Sequence, residues 1–123
     1  MEIRKISIHK ALTCSENESV KDIAKKLKEN KDRRIFVVDN EKLIGLITTT
    51  DLVYKALCGD GQKAKDVMTR DVKAVEVSEG LDKALEIMNE LNSFVCPVVD
   101  NGKLLGIISY HELIKYVFKT IEK

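Results

Sequence analysis

The sequence has little proline, little net charge and no long apolar run. It contains a single proline, and its 21 basic residues nearly balance its 20 acidic ones, so that the formal net charge is +1. This balance gives no support to a nucleic-acid partner. No apolar run approaches the ~18 to 20 residues that a membrane-spanning helix needs, and Met1–Lys5 lacks the apolar core of a signal peptide. We therefore expect a cytoplasmic protein that does not insert into membranes.

Cysteine and histidine are too few and too scattered to suggest a metal or catalytic centre. Cys14, Cys58 and Cys96 form no closely spaced pair, and two of them lie in apolar runs, which favours buried thiols over a zinc or redox site. The two histidines, His9 and His111, fall in no nucleophile or metal-ligand spacing. The sequence therefore predicts neither an enzyme nor a metal site.

An internal repeat is the main feature that the sequence does contain. Val37–Ile47 returns as Val98–Ile108 after 61 positions, and eight of the eleven residues are identical. Each copy of a repeat is usually one supersecondary unit that buries its apolar face against its neighbour. We therefore expect two repeats, residues 1–61 and 62–123, that together form one compact module of the length given by the chain.

Both repeats are predicted to contain the same succession of elements. Val20–Leu27 and Leu81–Met88 carry apolar residues at helical spacing. Each is followed by two apolar strands joined at an Asp-Asn turn, and then by a second apolar helix. Short strands at Ala11–Cys14 and Val72–Val77 open the two repeats. The order strand, helix, strand, strand, helix predicts an α+β fold with the helices on one side of each small sheet.

A polar cluster follows the last strand of each repeat, at Thr48–Asp51 and at Ser109–Glu112. The first turn of the helix that begins there offers free backbone N–H groups to an anion. The hydroxyls of Thr48 and Thr50 suit phosphate or sugar, and the Asp51 carboxylate can accept two O–H groups of a cis-diol. A ribonucleotide satisfies both demands.

Two arginines before a neighbouring strand also indicate a phosphate-containing ligand. Arg33 and Arg34 precede the strand Ile35–Val38, and pairing within the hairpin would bring a guanidinium near Thr48. A guanidinium can pair with phosphate in bidentate fashion. The alternative is that Thr48 and Asp51 are a plain capping box and that the arginines are solvated surface. On these residues alone, both interpretations stay open.

Three motifs resemble those of the cystathionine-β-synthase (CBS) domain family. Asp66–Thr69 resembles the opening of a repeat, and Cys96–Asp100 resembles the central strand. Gly45–Asp51 is similar to the nucleotide-contacting pattern of glycine, hydrophobic residue, any residue, Thr or Ser, two further residues and Asp. The resemblance extends over residues 5–120 and identifies the chain as a tandem CBS pair, also called a Bateman module.

The resemblance implies a fold and a class of ligand. The two βαββα repeats are expected to pack about a pseudo-twofold axis through their sheets and to leave two clefts for AMP, ADP, ATP or another adenosyl compound, S-adenosylmethionine included. No further cofactor is implied. Carried over by position, the first site comprises Asp51 for the ribose, Thr48 and Thr50 for ribose or phosphate, Arg34 and Arg33 for phosphate, and Met68 and Thr69 from the start of the second repeat.

The implied second site departs from this pattern. It comprises Ser109, Glu112, His111 and Thr13. Glu112 stands where Asp is expected, and Phe94–Val95 replaces the arginine pair. A longer side chain at the carboxylate position and the lack of a guanidinium predict a weak or empty site. His111 and Thr13 are expected to compensate in part for these two changes.

Two functions of different classes follow. The first is an adenine-nucleotide-binding regulatory module that senses its ligand and modulates an unknown partner protein. The second is a ligand-free dimerisation or interaction scaffold for an enzyme or a transporter, which would use apolar helix residues that one domain does not bury: Leu52, Ala56, Ile114, Val117 and Phe118. A homodimer is expected in either case, because the family commonly pairs two modules.

Overall fold

The computed structural model describes residues 3–6, 8–60 and 62–121. The chain divides into two compact units. The first unit is Leu12–Val72, and the second joins the residues up to Ala11 with the chain from Lys73 onward. No described helix is both long and apolar enough to cross a membrane.

The first unit contains three strands and its helices in the predicted order. They are β1 (Thr13–Ser15), α1 (Val20–Asn30), β2 (Arg34–Asp39), β3 (Lys42–Thr48), α2 (Thr49–Asp51), a π-helix (Leu52–Leu57) and α3 (Ala64–Val67). β1 is parallel to β2, and β2 and β3 form the predicted antiparallel hairpin. The second helix of this repeat differs from the prediction, since its continuation after α2 is π-helical.

The second unit repeats this order. A single 3₁₀ turn (Ile3–Lys5) precedes β4 (Val75–Glu76), α4 (Leu81–Leu91), β5 (Val95–Asp100), β6 (Lys103–Ser109) and α5 (Tyr110–Ile121). β4 is parallel to β5, and β5 and β6 are antiparallel. The α+β class and the βαββα order of each repeat are therefore confirmed, although β4 is shorter than the predicted Val72–Val77.

Each unit takes the opening segment of the other repeat into its core. Ala64, Val67 and Met68 lie in the core of the first unit, and Ile3 and Ile6 lie in that of the second. Matching backbone bonds hold both segments. The Ala64 N–H donates to the Glu18 carbonyl at 2.9 Å, and the Ile3 N–H donates to the Glu79 carbonyl at 2.8 Å. The predicted boundary between residues 61 and 62 thus divides the sequence repeats but not the compact units.

The expectation of buried thiols holds for two of the three cysteines. Cys14 and Cys96 are buried, and burial is the main cause that raises the pKa of each thiol to about 11. Cys58 is exposed at the end of the π-helix. It follows an apolar stretch in sequence, but the helix turns it outward.

Candidate functional site

The start of α2 has the geometry of a reciprocal capping box. The Asp51 N–H donates to Thr48 Oγ1 at 3.2 Å, and the Thr48 N–H donates to Asp51 Oδ2 at 2.9 Å. The contacts of the capping interpretation are therefore present. They engage one carboxylate oxygen of Asp51, whereas an ionised carboxylate offers about four acceptor positions. The cap thus leaves acceptor capacity for a bound hydroxyl.

The other oxygen of Asp51 faces a lysine that the sequence analysis did not single out. Lys55 Nζ lies 3.7 Å from Asp51 Oδ1 and donates to the Val67 carbonyl at 3.2 Å. The Asp51 side chain is 18% exposed, and that of Lys55 is 44% exposed. The signal that would have identified Lys55 is its spacing of four residues from Asp51, at which opposite charges meet on a helix.

Strand pairing brings Arg34 next to Thr48, as predicted. The two residues are direct partners across β2 and β3, so their side chains lie on the same face of the sheet. Arg33 is exposed, and its carbonyl accepts the Thr49 N–H at 3.0 Å. Thr50 is also exposed, in the first turn of α2.

Met68 and Thr69 lie against β3, close to these residues. Thr69 and Leu46 exchange both backbone hydrogen bonds, at 2.8 and 3.0 Å. A Cβ atom at Gly45 would lie 2.5 Å from Met68 Sδ, so the glycine of the motif makes room for Met68. The opening segment of the second repeat is thus part of the unit that contains Asp51.

Alternation along the strands places the polar candidates on one face. Ile35 and Ile47 are fully buried in the core under the helices. Successive side chains of a strand point to opposite faces, so Arg34 and Thr48 lie on the face away from that core. Thr69 pairs with Leu46, two residues before Thr48, and joins the same face. The structure therefore places Arg34, Thr48 and Thr69 on one face, near the end of β3 where α2, the helix of Asp51, begins.

The corresponding place in the second unit is built differently. Ser109 Oγ accepts the Glu112 N–H at 3.2 Å, but among the described residues the carboxylate does not return to the Ser109 N–H. Glu112 Oε1 instead lies 3.3 Å from His9 Nε2. The additional methylene of Glu112 lets its carboxylate extend beyond the cap to this imidazole.

His9 is the counterpart of Thr69 in the second unit. It exchanges two backbone hydrogen bonds of 2.8 Å with Ile107, as Thr69 does with Leu46. His9 was not predicted as a site residue, and the repeat interval of 61 would match Thr69 with Ile8. One extra residue in the N-terminal segment shifts the match by one position.

The other residues of the predicted second site, His111 and Thr13, belong to different units. Val95 is the strand partner of Ser109, so no guanidinium stands where Arg34 stands in the first unit. Phe94 packs edge to face on Tyr110, with ring centroids 5.9 Å apart. His111 is exposed in the first turn of α5. Thr13 belongs to the first unit, in β1 opposite Phe36, whereas Ser109, His111 and Glu112 lie in the second.

Metal binding finds no support in the part of the chain that the structure describes. No group of three or more His, Cys, Asp or Glu side chains is placed there to hold an ion.

The family model described as CBS domain matches the chain twice, over residues 3–57 and 64–119. The chain belongs to the CBS domain family. The resemblance noted in the sequence is thereby confirmed, and each match covers nearly all of one repeat.

One curated relative comes from Methanocaldococcus jannaschii. The chain is 33% identical over 113 residues to uncharacterized protein MJ1232 of Methanocaldococcus jannaschii. The match covers 91% of this chain but 38% of that protein, so the chain spans less than half of its relative.

Solved CBS pairs have the same fold. The CBS domain pair of protein MJ0100, in complex with 5′-methylthioadenosine and S-adenosyl-L-methionine, is 26% identical, with a TM-score of 0.77 over 98% of both chains. CBSX2 in complex with AMP has a TM-score of 0.79 over 96% of this chain and 97% of that one. At 23% identity, the second likeness concerns the fold alone.

Proposed function

We propose that the protein is a regulatory CBS pair that binds an adenosine nucleotide (AMP, ADP or ATP) at the first-repeat site and modulates a partner protein. The observation that carries this proposal is the joint placement of Arg34, Thr48 and Thr69 beside a half-buried Asp51 that keeps acceptor capacity. The adenosyl compounds held by the CBS pair of MJ0100 support this ligand class. The proposal includes a cytoplasmic protein without catalytic activity of its own.

Each residue of the proposed site suits a different part of the nucleotide. Asp51 accepts hydrogen bonds from the ribose diol, because Oδ1 is not used by the cap. Thr48 and Thr50 offer hydroxyls to ribose or phosphate. Arg34 supplies the charge that a phosphate needs, with Arg33 beside it. S-adenosylmethionine carries no phosphate, so a protein that selects it would make little use of Arg34.

The second site is proposed to be weak. The Glu112 carboxylate already faces His9, and no arginine stands opposite Ser109. A nucleotide there would have to displace the imidazole and would find no guanidinium for its phosphate. One nucleotide per chain is therefore the expected stoichiometry.

Exposed apolar surface supports a homodimer. In the first unit a groove of about 290 Å³ is lined almost entirely by carbon, from Val20, Ala24, Leu52, Val53, Ala56, Leu57 and the stem of Lys21. Leu57 is 80% exposed. In the second unit Ile114, Val117 and Phe118 of α5 are exposed as well. A twofold dimer would bury the same patch on both protomers. A monomeric mass at all concentrations would contradict this part of the proposal.

The same groove and the completed capping box favour the interaction scaffold as the second candidate function. In that case Thr48 and Asp51 stabilise the helix start and bind nothing. The two functions differ in what Asp51 contributes, and this difference decides the experiment.

The test is isothermal titration of the protein with AMP, ADP, ATP and S-adenosylmethionine, beside Asp51→Asn. The Asn side-chain oxygen can still accept the Thr48 N–H, so the free energy of unfolding should change by about 1 kcal/mol or less, while binding is lost. Asp22→Asn, an equal change in the first turn of α1, is the control and should bind as wild type does. No binding of any compound by the wild type would favour the scaffold.

A further inference from the structure

Lys55 joins two parts of the first-repeat site that come from different repeats. Its ammonium group lies 3.7 Å from Asp51 Oδ1 and 3.2 Å from the Val67 carbonyl oxygen. Val67 immediately precedes Met68 and Thr69, which pack against Gly45 and Leu46 of β3. One side chain therefore connects the ribose carboxylate with the opening segment of the second repeat.

Asp51 is contacted at both of its carboxylate oxygens. The Thr48 N–H fixes Asp51 Oδ2, and Lys55 faces Oδ1. A carboxylate held at both oxygens is oriented before the ligand arrives, which removes part of the ordering cost of binding. An ammonium has three donors, so Lys55 can keep the Val67 carbonyl and Asp51 together while a ribose hydroxyl donates to Oδ1.

The helix that carries Lys55 is unusual. Leu52–Leu57 is π-helical, and π-helical turns are rare and often lie at functional sites. The second repeat has a regular α-helix in this place, and its Lys115 follows Glu112 by three residues instead of four. There the carboxylate faces His9. The lysine contact is thus specific to the site with the arginine pair.

We propose that Lys55 is a positioning residue of the first-repeat site. It holds Asp51 for the ribose diol and couples this carboxylate to the Met68–Thr69 segment, so that ribose recognition depends on where that segment lies. This inference rests on the proposed nucleotide function. Partly exposed ion pairs are weak, so the expected loss of affinity without Lys55 is about threefold to fivefold.

The experiment compares wild type with Lys55→Met, which keeps most of the side-chain volume and removes the charge. Affinities are measured for AMP, 2′-deoxy-AMP, adenosine and ATP. Lys42→Met, at the opposite end of β3, is the matched control, and Lys55→Arg tests rescue by a retained charge. Hydrogen exchange at the Thr69 amide, measured without ligand, reports whether Lys55 stabilises the opening segment of the second repeat through the Val67 carbonyl.

The inference predicts three effects of Lys55→Met and the behaviour of the two comparison variants. Lys55→Met weakens adenosine, AMP and ATP by about the same factor, because the carboxylate that contacts their common ribose is affected. It also reduces the preference for AMP over 2′-deoxy-AMP, and it speeds exchange at Thr69. Lys55→Arg restores the ribose preference in part, and Lys42→Met changes none of these quantities.

Other outcomes overturn the inference. An unchanged ribose preference, or unchanged exchange at Thr69, would show that Lys55 does not position these groups. A loss that grows with the number of phosphates would make Lys55 a direct phosphate contact instead. If the wild type binds no adenosyl compound, both this inference and the proposed function fail. If the wild type binds and Lys55→Met has the same affinities, ribose preference and Thr69 exchange, this inference alone is wrong.

Discussion

Gly45→Ala tests the close packing of β3 against the opening segment of the second repeat. A Cβ atom at this position would lie 2.5 Å from Met68 Sδ and 3.0 Å from Met68 Cγ. Met68 is 7% exposed, so its side chain has little space into which to retreat. The substitution therefore forces Met68 away from β3.

Two opposing effects set the size of the change. Replacing glycine by alanine within a strand gains roughly 0.5 to 1 kcal/mol of backbone entropy. Overpacking a filled core costs roughly 1 to 3 kcal/mol. The flexible end of Met68 absorbs part of the clash, so we expect a net loss of about 1 kcal/mol in the free energy of unfolding. Affinity for AMP should fall as well, because Thr69 moves with Met68.

Urea denaturation of Gly45→Ala, Met68→Ala and the double variant measures the effect. Met68→Ala alone should cost about 2 to 5 kcal/mol through the cavity that it leaves. In the double variant the new methyl group enters that cavity. The loss in the free energy of unfolding should therefore be smaller than the sum of the two single losses, by about 1 kcal/mol or more. Strict additivity, or a stabilised Gly45→Ala protein, would refute the proposed contact.

Three further predictions concern other positions. Gly106→Ala should destabilise more than Gly45→Ala in the same assay, because its Cβ would lie 2.2 Å from the rigid His9 carbonyl oxygen at a φ of +156°; an equal or smaller loss would contradict this close approach. Arg34→Ala should weaken ATP and ADP more than adenosine in titrations, and equal losses would exclude a phosphate role. A thiol reagent at about pH 8 should modify Cys58 at once, whereas Cys14 and Cys96 should react only on unfolding, since burial raises their thiol pKa values to about 11 and withholds the thiolate; rapid reaction of a second thiol in the folded protein would contradict their burial.

The part of the candidate site that depends on contacts between neighbours in sequence could be predicted from the sequence. Thr48 and Asp51 are three residues apart at a helix start, and that spacing alone predicted their hydrogen bonds. The tight turn between two strands predicted the hairpin and brought Arg34 close to the Thr48 end, but it did not fix the exact pairing. A bulge between Val37 and Val38 shifts the register by one residue and sets Arg34 opposite Thr48. The binding role of these residues was not decided by either rule, and it stays a proposal.

Residues that act through long-range contacts were missed. Nothing near His9 in the sequence indicates that it would pair with Ile107 and face Glu112. Lys55 was not predicted as a site residue. Its spacing from Asp51 could have indicated their contact, but its bond to the Val67 carbonyl depends on the packing of α3 beside the π-helix. A contact between distant segments requires the fold to be known first.

The sequence by itself determined the repeat, the order of elements in each copy and the hairpins, because periodicity, turns and caps are properties of neighbouring residues. The tertiary structure decided which unit each opening segment joins. Ala64, Val67 and Met68 complete the first core, and Ile3 and Ile6 complete the second. Both repeats present similar strands and similar apolar openings, so local patterns cannot choose between the two pairings. In the folded chain Gly45 lies against Met68, and Gly106 lies against Ile8 and His9, so each glycine leaves room for the segment that its unit receives.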